Sequence, residues 1–311
     1  MRLLSTAVIR LKTLTTRRQL AVLAVTAAIA RPATARVKKG ICSVIFPKGM
    51  PAADRFRETR NAGFEGIEIR LCEEVTLSST PDEVKRVGDE ARKAGVAISA
   101  MWVSQGLSDN PLNHASPQVR QAGVAIIGTA IGFAAYVNCP ALLLVPGRLG
   151  NGPKFITGYQ DTWTRVTAEL KKLVPHAAKA KVILGPENAW NKFLVSPLEM
   201  RSFVDQFKSP WVQAFFDAGN VMQFGYPQDW ILTLGSRMKN VHLKDYKLSA
   251  RSEQGRFVNL LEGDVDWEEV MAAIIKVGYQ GFVAPEYSYD ANDPDRVRKL
   301  SKLTGKILAM A

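Results

Sequence analysis

The chain has 311 residues, of which 47% are hydrophobic and 23% are charged. This length accommodates one large domain or two small ones with a sizeable core, and the composition is typical of a globular protein. The formal net charge of +12 suggests a nucleic-acid partner. Half of that charge, however, comes from residues 1–35, which contain no acidic residue and six basic ones: Arg2, Arg10, Lys12, Arg17, Arg18 and Arg31. Downstream, basic and acidic residues are interspersed along helical faces, which argues against a nucleic-acid-binding patch.

The first 35 residues have the pattern of a secretory signal. Arg17 and Arg18 precede a short apolar run at residues 21–30, and a small-residue site, Ala33-Thr34-Ala35, follows. The adjacent arginines resemble a twin-arginine export signal, although Leu20 stands where an aromatic residue is usual and no lysine follows. We therefore expect export, to the periplasm, with residues 1–35 removed. The alternative is a basic extension from an early start codon.

Eight short apolar runs follow the signal and are predicted to be strands. They lie at residues 40–46, 66–71, 96–103, 141–145, 182–184, 212–216, 239–243 and 281–284. Each is followed by a helical pattern, and several of the helices begin with a polar cap before proline, as at Thr80-Pro81, Ser116-Pro117 and Ser196-Pro197. No stretch after the signal is judged long and apolar enough to cross a membrane.

Apolar strands that alternate with helices are typical of a parallel sheet covered on both faces. Eight such units in about 275 residues predict a single (β/α)₈ barrel over residues 36–311, with no second domain. The three cysteines have no ligand-type spacing, and their odd number argues against a complete disulfide framework. Cys42 and Cys139 adjoin apolar runs and are predicted to be core residues.

Four of the predicted strands end at a side chain that can bind a metal. Residues 182–184 lead to Glu187, residues 212–216 lead to Asp217, residues 239–243 contain His242, and residues 281–284 lead to Glu286. Parallel barrels place their chemistry at the carboxyl ends of the strands. Three carboxylates and one imidazole suit Mn²⁺, Co²⁺, Mg²⁺ or Zn²⁺ and do not decide between them. The alternative is that helix ends and nearby Lys or Arg side chains satisfy these four groups.

The same stretches resemble a known family. The motifs Pro-Glu-Asn-Ala-Trp-Asn-Lys-Phe, Phe-Asp-Ala-Gly-Asn, Val-His-Leu-Lys-Asp and Leu-Leu-Glu-Gly-Asp-Val-Asp-Trp occur in order, with barrel-strand spacing. Together they resemble the sugar phosphate isomerase/epimerase group of xylose-isomerase-like TIM barrels, over nearly all of residues 40–310. The resemblance implies a divalent metal held by the four residues at the strand ends: Glu187, Asp217, His242 and Glu286. It also implies that Glu187 and Glu286 act as acid and base.

The implied reaction is isomerisation or epimerisation of a ketose or related sugar, free or phosphorylated, by proton transfer through an enediolate. A dehydratase or lyase acting on a keto-sugar or inosose is an alternative, and so is a non-catalytic sugar-binding relative. An apurinic-site endonuclease of the same barrel type is disfavoured, because those enzymes use several more histidines than the three found here. The expected partner is a small sugar, with no nucleic acid and no membrane after signal removal. Homo-oligomerisation remains open.

Residues that flank the proposed ligands are candidates for substrate binding. They are Asn188, Trp190, Asn220, Lys244 and Trp102. Some ketose epimerases of the group carry histidine where Asn220 stands, so the substrate does not transfer directly. For Trp102, core packing is the alternative to stacking on a sugar. Lys244 and Asp245 are expected either to contact substrate or to orient His242. Glu68 and Arg70, on the second predicted strand, are expected either to reach the site or to pair with each other.

Overall fold

The computed structural model describes residues 37–151, 153–249 and 255–311. The expected signal peptide, residues 1–35, lies outside these residues. Eight parallel strands form one sheet: Lys38–Cys42, Gly66–Arg70, Ala97–Trp102, Ala141–Leu144, Ile183–Pro186, Ala214–Asp217, Met238–Leu243 and Phe282–Pro285. We number them as barrel strands one to eight. The predicted fold class is therefore confirmed.

The sheet curves into a nearly closed barrel. The first strand pairs with both the second and the eighth, and the order of the strands around the sheet is 5-4-3-2-1-8-7-6. The fifth and sixth strands meet only through isolated bridges, Leu184 with Val212 and Glu187 with Phe215. The second of these bridges joins the residue after the fifth strand to the sixth strand, at the edge where the proposed ligands lie.

Helices surround the sheet. Their bounds are Ala52–Asn61, Pro81–Lys93, Pro117–Tyr136, Tyr159–Ala180, Pro197–Asp205, Ala218–Val221, Pro227–Leu234, Trp267–Lys276 and Arg296–Leu308. The predicted caps are present: Thr80, Ser116 and Ser196 each accept a hydrogen bond from a backbone N–H in the first turn. Such a bond satisfies one of the donors that a helix start leaves free.

Three local features differ from the sequence-based expectations. The first strand ends at Cys42 and continues as a 3₁₀ helix, Ser43–Ile45. A short antiparallel pair, Asp245–Lys247 with Arg256–Val258, follows the seventh strand. A second short pair joins Gly150–Asn151 to Lys154–Phe155. These features were missed because each is only two to five residues long and has no apolar periodicity.

The helix Pro117–Tyr136 is long and apolar enough to cross a membrane, by length and composition alone. By these two criteria, the expectation that no such stretch follows the signal is wrong. In the structure, this helix is one of those that surround the barrel sheet. It packs between the helices Pro81–Lys93 and Tyr159–Ala180. Its buried side chains, which include Ile127, Ile131 and Ala134, join the main hydrophobic core. An apolar helix that covers a barrel sheet has the same composition as a short membrane span.

The strands carry both a small apolar cluster and buried polar side chains, among them Glu68, Asn240 and His242. Ala100, Leu143 and Phe215 form a small buried cluster inside the barrel, and Trp102 packs against it. The larger core lies between the sheet and the helices. Cys42 and Cys139 are buried and free, as expected, and burial raises the pKa of the Cys139 thiol to about 12. The candidate site is formed by buried polar side chains.

Candidate active site

The four proposed ligands meet at the carboxyl ends of barrel strands five to eight. Glu187 and Glu286 each come one residue after their strands end, Asp217 is the last residue of the sixth strand, and His242 lies one residue before the end of the seventh. One donor atom from each side chain lies within 4.8 Å of the others. The parallel sheet brings them together because neighbouring strands end at the same edge.

His242 lies at the centre of this group. Its Nδ1 is 2.9 Å from Oε2 of Glu286, 3.3 Å from Oε1 of Glu187 and 3.7 Å from Oδ2 of Asp217. The side chains of His242 and Asp217 are fully buried, and that of Glu286 is 14% exposed. Three carboxylates this close in a low-dielectric site repel one another unless positive charge compensates them.

Lys244, the residue that follows the seventh strand, supplies positive charge. Its Nζ is 2.7 Å from Oε2 of Glu286 and 2.9 Å from Oδ2 of Asp217. Burial alone would lower the pKa of Lys244, but attraction to Asp217, Glu286 and Glu187 outweighs burial and raises it well above its usual value. The lysine therefore stays charged beside the carboxylates.

The two glutamates experience different environments. Burial raises the pKa of Glu187, with repulsion from Glu286 adding to the effect. Burial also acts to raise the pKa of Glu286, but Lys244 and His242 outweigh it and hold that pKa well below its usual range. His242 itself has a raised pKa, because the nearby Glu68 and Glu286 outweigh the opposing effect of burial. Two carboxyls with opposite shifts are a common basis for acid and base roles.

The donor set fits a divalent cation. Oδ2 of Asp217 is buried and makes no hydrogen bond to any described residue, although the Lys244 ammonium is close to it. A carboxylate oxygen has more than one lone pair, so it can accept a cation in addition to its contact with Lys244. Carboxylate oxygens and one imidazole nitrogen are ligands for Mg²⁺, Mn²⁺, Co²⁺ or Zn²⁺, and the arrangement does not choose among these metals.

Glu68 lies at the base of the site, which is one of the two positions expected for it. Its Oε2 lies 2.7 Å from Nε2 of His242, and its Oε1 accepts a hydrogen bond of 3.2 Å from Nδ2 of Asn240. Arg70 does not pair with it; Arg70 lies 3.5 Å from Glu73 instead. The available signal was an ionisable side chain in the middle of a strand expected to be buried on both faces.

Cys42, Glu68 and His242 form a second group whose donor atoms lie close enough for a metal. Burial, followed by repulsion from Glu68, raises the pKa of the Cys42 thiol well above its usual value. A protonated thiol is a poor ligand, because the thiolate is the form that binds metals. The group of Glu187, Asp217, His242 and Glu286 is therefore the better metal site.

Asp217 is held in place by residues that the sequence analysis proposed as substrate contacts. Asn188 donates from Nδ2 to the carbonyl of Asp217 at 2.9 Å and accepts from its N–H at 2.8 Å. Asp217 Oδ1 caps the helix Ala218–Val221 by accepting from the N–H of Asn220. Gly219 permits this turn, because a Cβ there would lie 2.5 Å from Cβ of Lys244.

Trp190 borders the site together with the antiparallel pair of Asp245–Lys247 and Arg256–Val258. We call this pair the hairpin. Trp190 donates from Nε1 to the carbonyl of Asn220 at 3.0 Å, and its ring lies 5.0 Å from that of Phe257. The hairpin is anchored by Asp245, which is fully buried and accepts hydrogen bonds from Tyr246, Leu261, Val265 and Trp267. Asp245 therefore organises the Leu-Leu-Glu-Gly-Asp-Val-Asp-Trp motif and does not contact His242.

Comparison with known proteins identifies the family of this chain. The profile of the xylose isomerase-like TIM barrel family matches residues 56–306. The chain belongs to this family. A Haemophilus influenzae protein provisionally named L-ribulose-5-phosphate 3-epimerase SgbU is 24% identical over 263 residues, covering 82% of this chain and 90% of the relative. A Drosophila melanogaster protein provisionally named hydroxypyruvate isomerase is 24% identical over 259 residues, covering 81% and 91%.

Solved structures of the same fold include D-psicose 3-epimerase from Clostridium cellulolyticum H10, determined with D-tagatose. It superposes on this chain with a TM-score of 0.75 at 14% identity, over 88% of this chain and 99% of that one. At that identity the likeness shows the fold. The relatives of this member of the xylose isomerase-like family are thus named as sugar epimerases and isomerases.

Among the substrate-binding candidates of this family member, Trp102 comes from a different part of the barrel. It lies at the end of the third barrel strand and packs against the cluster of Ala100, Leu143 and Phe215. The ring of Phe215 lies 4.8 Å from that of His242. Nε1 of Trp102 is buried and has no hydrogen-bond partner among the residues that the structure describes. The packing of Trp102 supports the core-packing alternative, and stacking on a sugar stays a prediction.

Proposed function

We propose that this protein is a divalent-metal-dependent isomerase or epimerase that moves a proton on a ketose or related sugar. The observation that carries the proposal is the placement of Glu187 and Glu286. They close the two ends of an arc of four strands, with Asp217 and His242 between them. Such an arrangement provides two carboxylates able to exchange protons with one bound substrate.

The metal would be held by Glu187, Asp217, His242 and Glu286. When bound, a divalent cation supplies the positive charge that polarises a carbonyl and the neighbouring hydroxyl. The carbon between those groups then carries an acidic proton. One glutamate removes that proton and leaves an enediolate, and the other returns a proton. Return to the opposite face of the same carbon inverts it, whereas return to the former carbonyl carbon isomerises the sugar.

Other residues of the chain prepare the site for this transfer. Asn188 fixes the backbone of Asp217, and the N–H of Asn220 fixes its carboxylate. Glu68 fixes the ring of His242 from below. Lys244 lies beside Glu286 and can donate a hydrogen bond to a substrate oxygen. A side chain whose position is fixed in advance loses less freedom when the substrate reacts.

The substrate can be free or phosphorylated. A cavity of about 600 Å³ contains Lys244 and Glu286 and is also lined by Arg256 and Arg296. Two arginines beside the reacting groups would suit a phosphate ester. The name of the Haemophilus influenzae relative refers to such a substrate. Removal of a signal and export would instead favour a free sugar, because sugar phosphates are mainly intracellular.

A turnover assay tests the proposal. The protein, stripped of metal and reloaded in turn with Mn²⁺, Co²⁺, Mg²⁺ and Zn²⁺, is incubated with a panel of free and phosphorylated ketoses, and the products are identified by NMR. We expect one ketose to be converted into an epimer or an aldose, and chelation to stop the reaction. A product that has lost a β-substituent would instead assign a lyase. Binding without conversion of any sugar would contradict the enzyme assignment.

A further inference from the structure

A large cavity lies beside the candidate active site, next to the third and fourth barrel strands. Its volume is about 1030 Å³. Trp102 and Val145, at the ends of these two strands, form part of its lining. Residues of the loop after the third strand and of the segment 155–158 form other parts. We call it the strand 3–4 cavity.

The strand 3–4 cavity is connected to the candidate site through Trp102. Trp102 packs on the cluster that contains Phe215, and the ring of Phe215 lies 4.8 Å from that of His242. The wall of the cavity and a proposed metal ligand therefore border the same apolar cluster.

The lining is largely apolar, and two of its large apolar side chains are exposed. Phe155 is 73% exposed and Ile156 is 54% exposed, and Leu107 and Pro111 also line the cavity. Contiguous exposed apolar surface commonly marks a ligand-binding groove. We infer that the cavity lining gains stability when an apolar group covers these side chains, because that removes their surface from water.

The charged groups of the lining do not indicate an anion site. Arg165 forms an ion pair of 3.0 Å with Asp161 and donates to the carbonyl of Asn113 at 3.2 Å and to Oγ1 of Thr157 at 3.3 Å. His114 accepts a hydrogen bond from the N–H of Ser116 through Nδ1. Arg148 is exposed. Because Arg165 is already compensated, the cavity favours an uncharged group over a phosphate or carboxylate.

We propose that the strand 3–4 cavity binds an apolar, aryl-type substituent carried by the sugar, so that the natural substrate is a substituted ketose. The substituent would be joined through oxygen to a carbon remote from the carbonyl. Cavities of ~300–1,000 Å³ hold drug-sized ligands, and a single hexose is much smaller than such a ligand. The proposal rests on the proposed function, which places the ketose at Glu187 and Glu286.

The test compares matched ligands by calorimetry on the Mn²⁺-loaded protein. The ligands are D-fructose, D-tagatose and D-psicose, each with its 6-O-benzyl ether, and 6-O-glucosyl-D-fructose as a polar substituent of similar size. We expect a benzyl ether to bind about tenfold or more tightly than its free sugar, from burial of the aromatic ring. Equal affinities of all the free sugars and their ethers would overturn the proposal, and an equal gain from the glucosyl group would overturn its apolar class.

Two variants locate the effect. Ile156→Ser removes an apolar side chain from the cavity lining, and Ile275→Ser is its control, because Ile275 is 53% exposed on the helix Trp267–Lys276 and does not line the cavity. The ratio of free-sugar to benzyl-ether dissociation constants should fall several-fold in Ile156→Ser and stay at the wild-type value in Ile275→Ser. Equal ratios in the two variants would contradict the location.

Failure of the proposed function would look different. A protein that converts no sugar, but keeps a benzyl preference that Ile156→Ser removes, would retain the cavity assignment and lose the reaction. A protein that epimerises free ketoses, but shows no benzyl preference, would retain the reaction and lose the cavity assignment.

Discussion

Nε2 of His242 lies 2.7 Å from Oε2 of Glu68, and both side chains are buried at the base of the candidate site. The contact leaves Nδ1 of the same ring facing Glu187, Asp217 and Glu286. A histidine that donates one ring N–H to a carboxylate has its tautomer and orientation fixed, and its other nitrogen becomes a better ligand. Glu68 is therefore a positioning residue for His242.

Replacement of Glu68 tests this role. Glu68→Gln should weaken Mn²⁺ binding by about 10–100-fold, because the neutral amide supports the imidazole less strongly. Calorimetric titration of the metal-free protein measures the affinity. Glu169→Gln is the matched control, since Glu169 is a buried, charge-paired glutamate in the helix Tyr159–Ala180, outside the candidate site. An affinity of Glu68→Gln within twofold of the wild type would show that the contact does not position His242.

Lys244 competes with a cation for the same carboxylates. Lys244→Met should tighten Mn²⁺ binding about tenfold or more, since unit charges ~4 Å apart near a surface repel by roughly 4 kcal/mol and a third of that is tenfold. Turnover should fall in the same variant if the ammonium contacts substrate. Lys247→Met, whose lysine is half-exposed and pairs with Asp264, serves as control. Unchanged or weaker metal binding in Lys244→Met would contradict the competition.

Glu169 should make stability depend on pH. It is buried between Arg120 and Lys172; burial acts to raise its pKa, but hydrogen bonds from these two side chains outweigh burial and lower it. Its contribution is fully present above the unfolded pKa of about 4.3 and is lost as pH falls through the lower folded value. Glu169→Gln should therefore reduce the free energy of unfolding by roughly 1–3 kcal/mol at pH 7.

Denaturant unfolding of the metal-free proteins measures this difference. The gap between wild type and Glu169→Gln should narrow as the pH falls below about 4. Asp89→Asn is the comparison, because the exposed Asp89–Arg92 pair is worth about 0–1 kcal/mol at any pH. A gap that is constant from pH 7 to acid would show that the charge of Glu169 contributes nothing.

The barrel was predictable because its pattern is repeated eight times. Each apolar run bounded by helix caps gave a strand within a few residues of its observed position. Two of the proposed ligands could also be found at strand ends from the sequence. Asp217 directly follows an apolar run, and His242 lies within one. The contact of Glu68 with His242 could not be predicted, because it spans 174 residues and depends on how the barrel closes. Asn188 could not be assigned either, since its amide binds the backbone of Asp217 across two strands.

The proposed signal makes a separate prediction. Arg17, Arg18 and the apolar run before Ala33-Thr34-Ala35 should direct export and cleavage near Ala35. N-terminal sequencing of the protein isolated from its native host should find a chain that begins close to residue 36. Replacement of both arginines by lysine should keep the protein inside the cell if the twin-arginine route is used. An intact Met1 on protein recovered solely from the cytosol would contradict export.

Proton exchange at the substrate carbon tests the central claim most directly. The Mn²⁺-loaded protein is incubated in D₂O with the ketose that it converts, and NMR locates deuterium in the product. Deuterium should appear at the carbon next to the carbonyl, and Glu187→Gln and Glu286→Gln should each slow turnover by about 10²–10⁴-fold with metal still bound. Conversion without deuterium at that carbon, or either variant at the wild-type rate, would contradict proton transfer by these two glutamates.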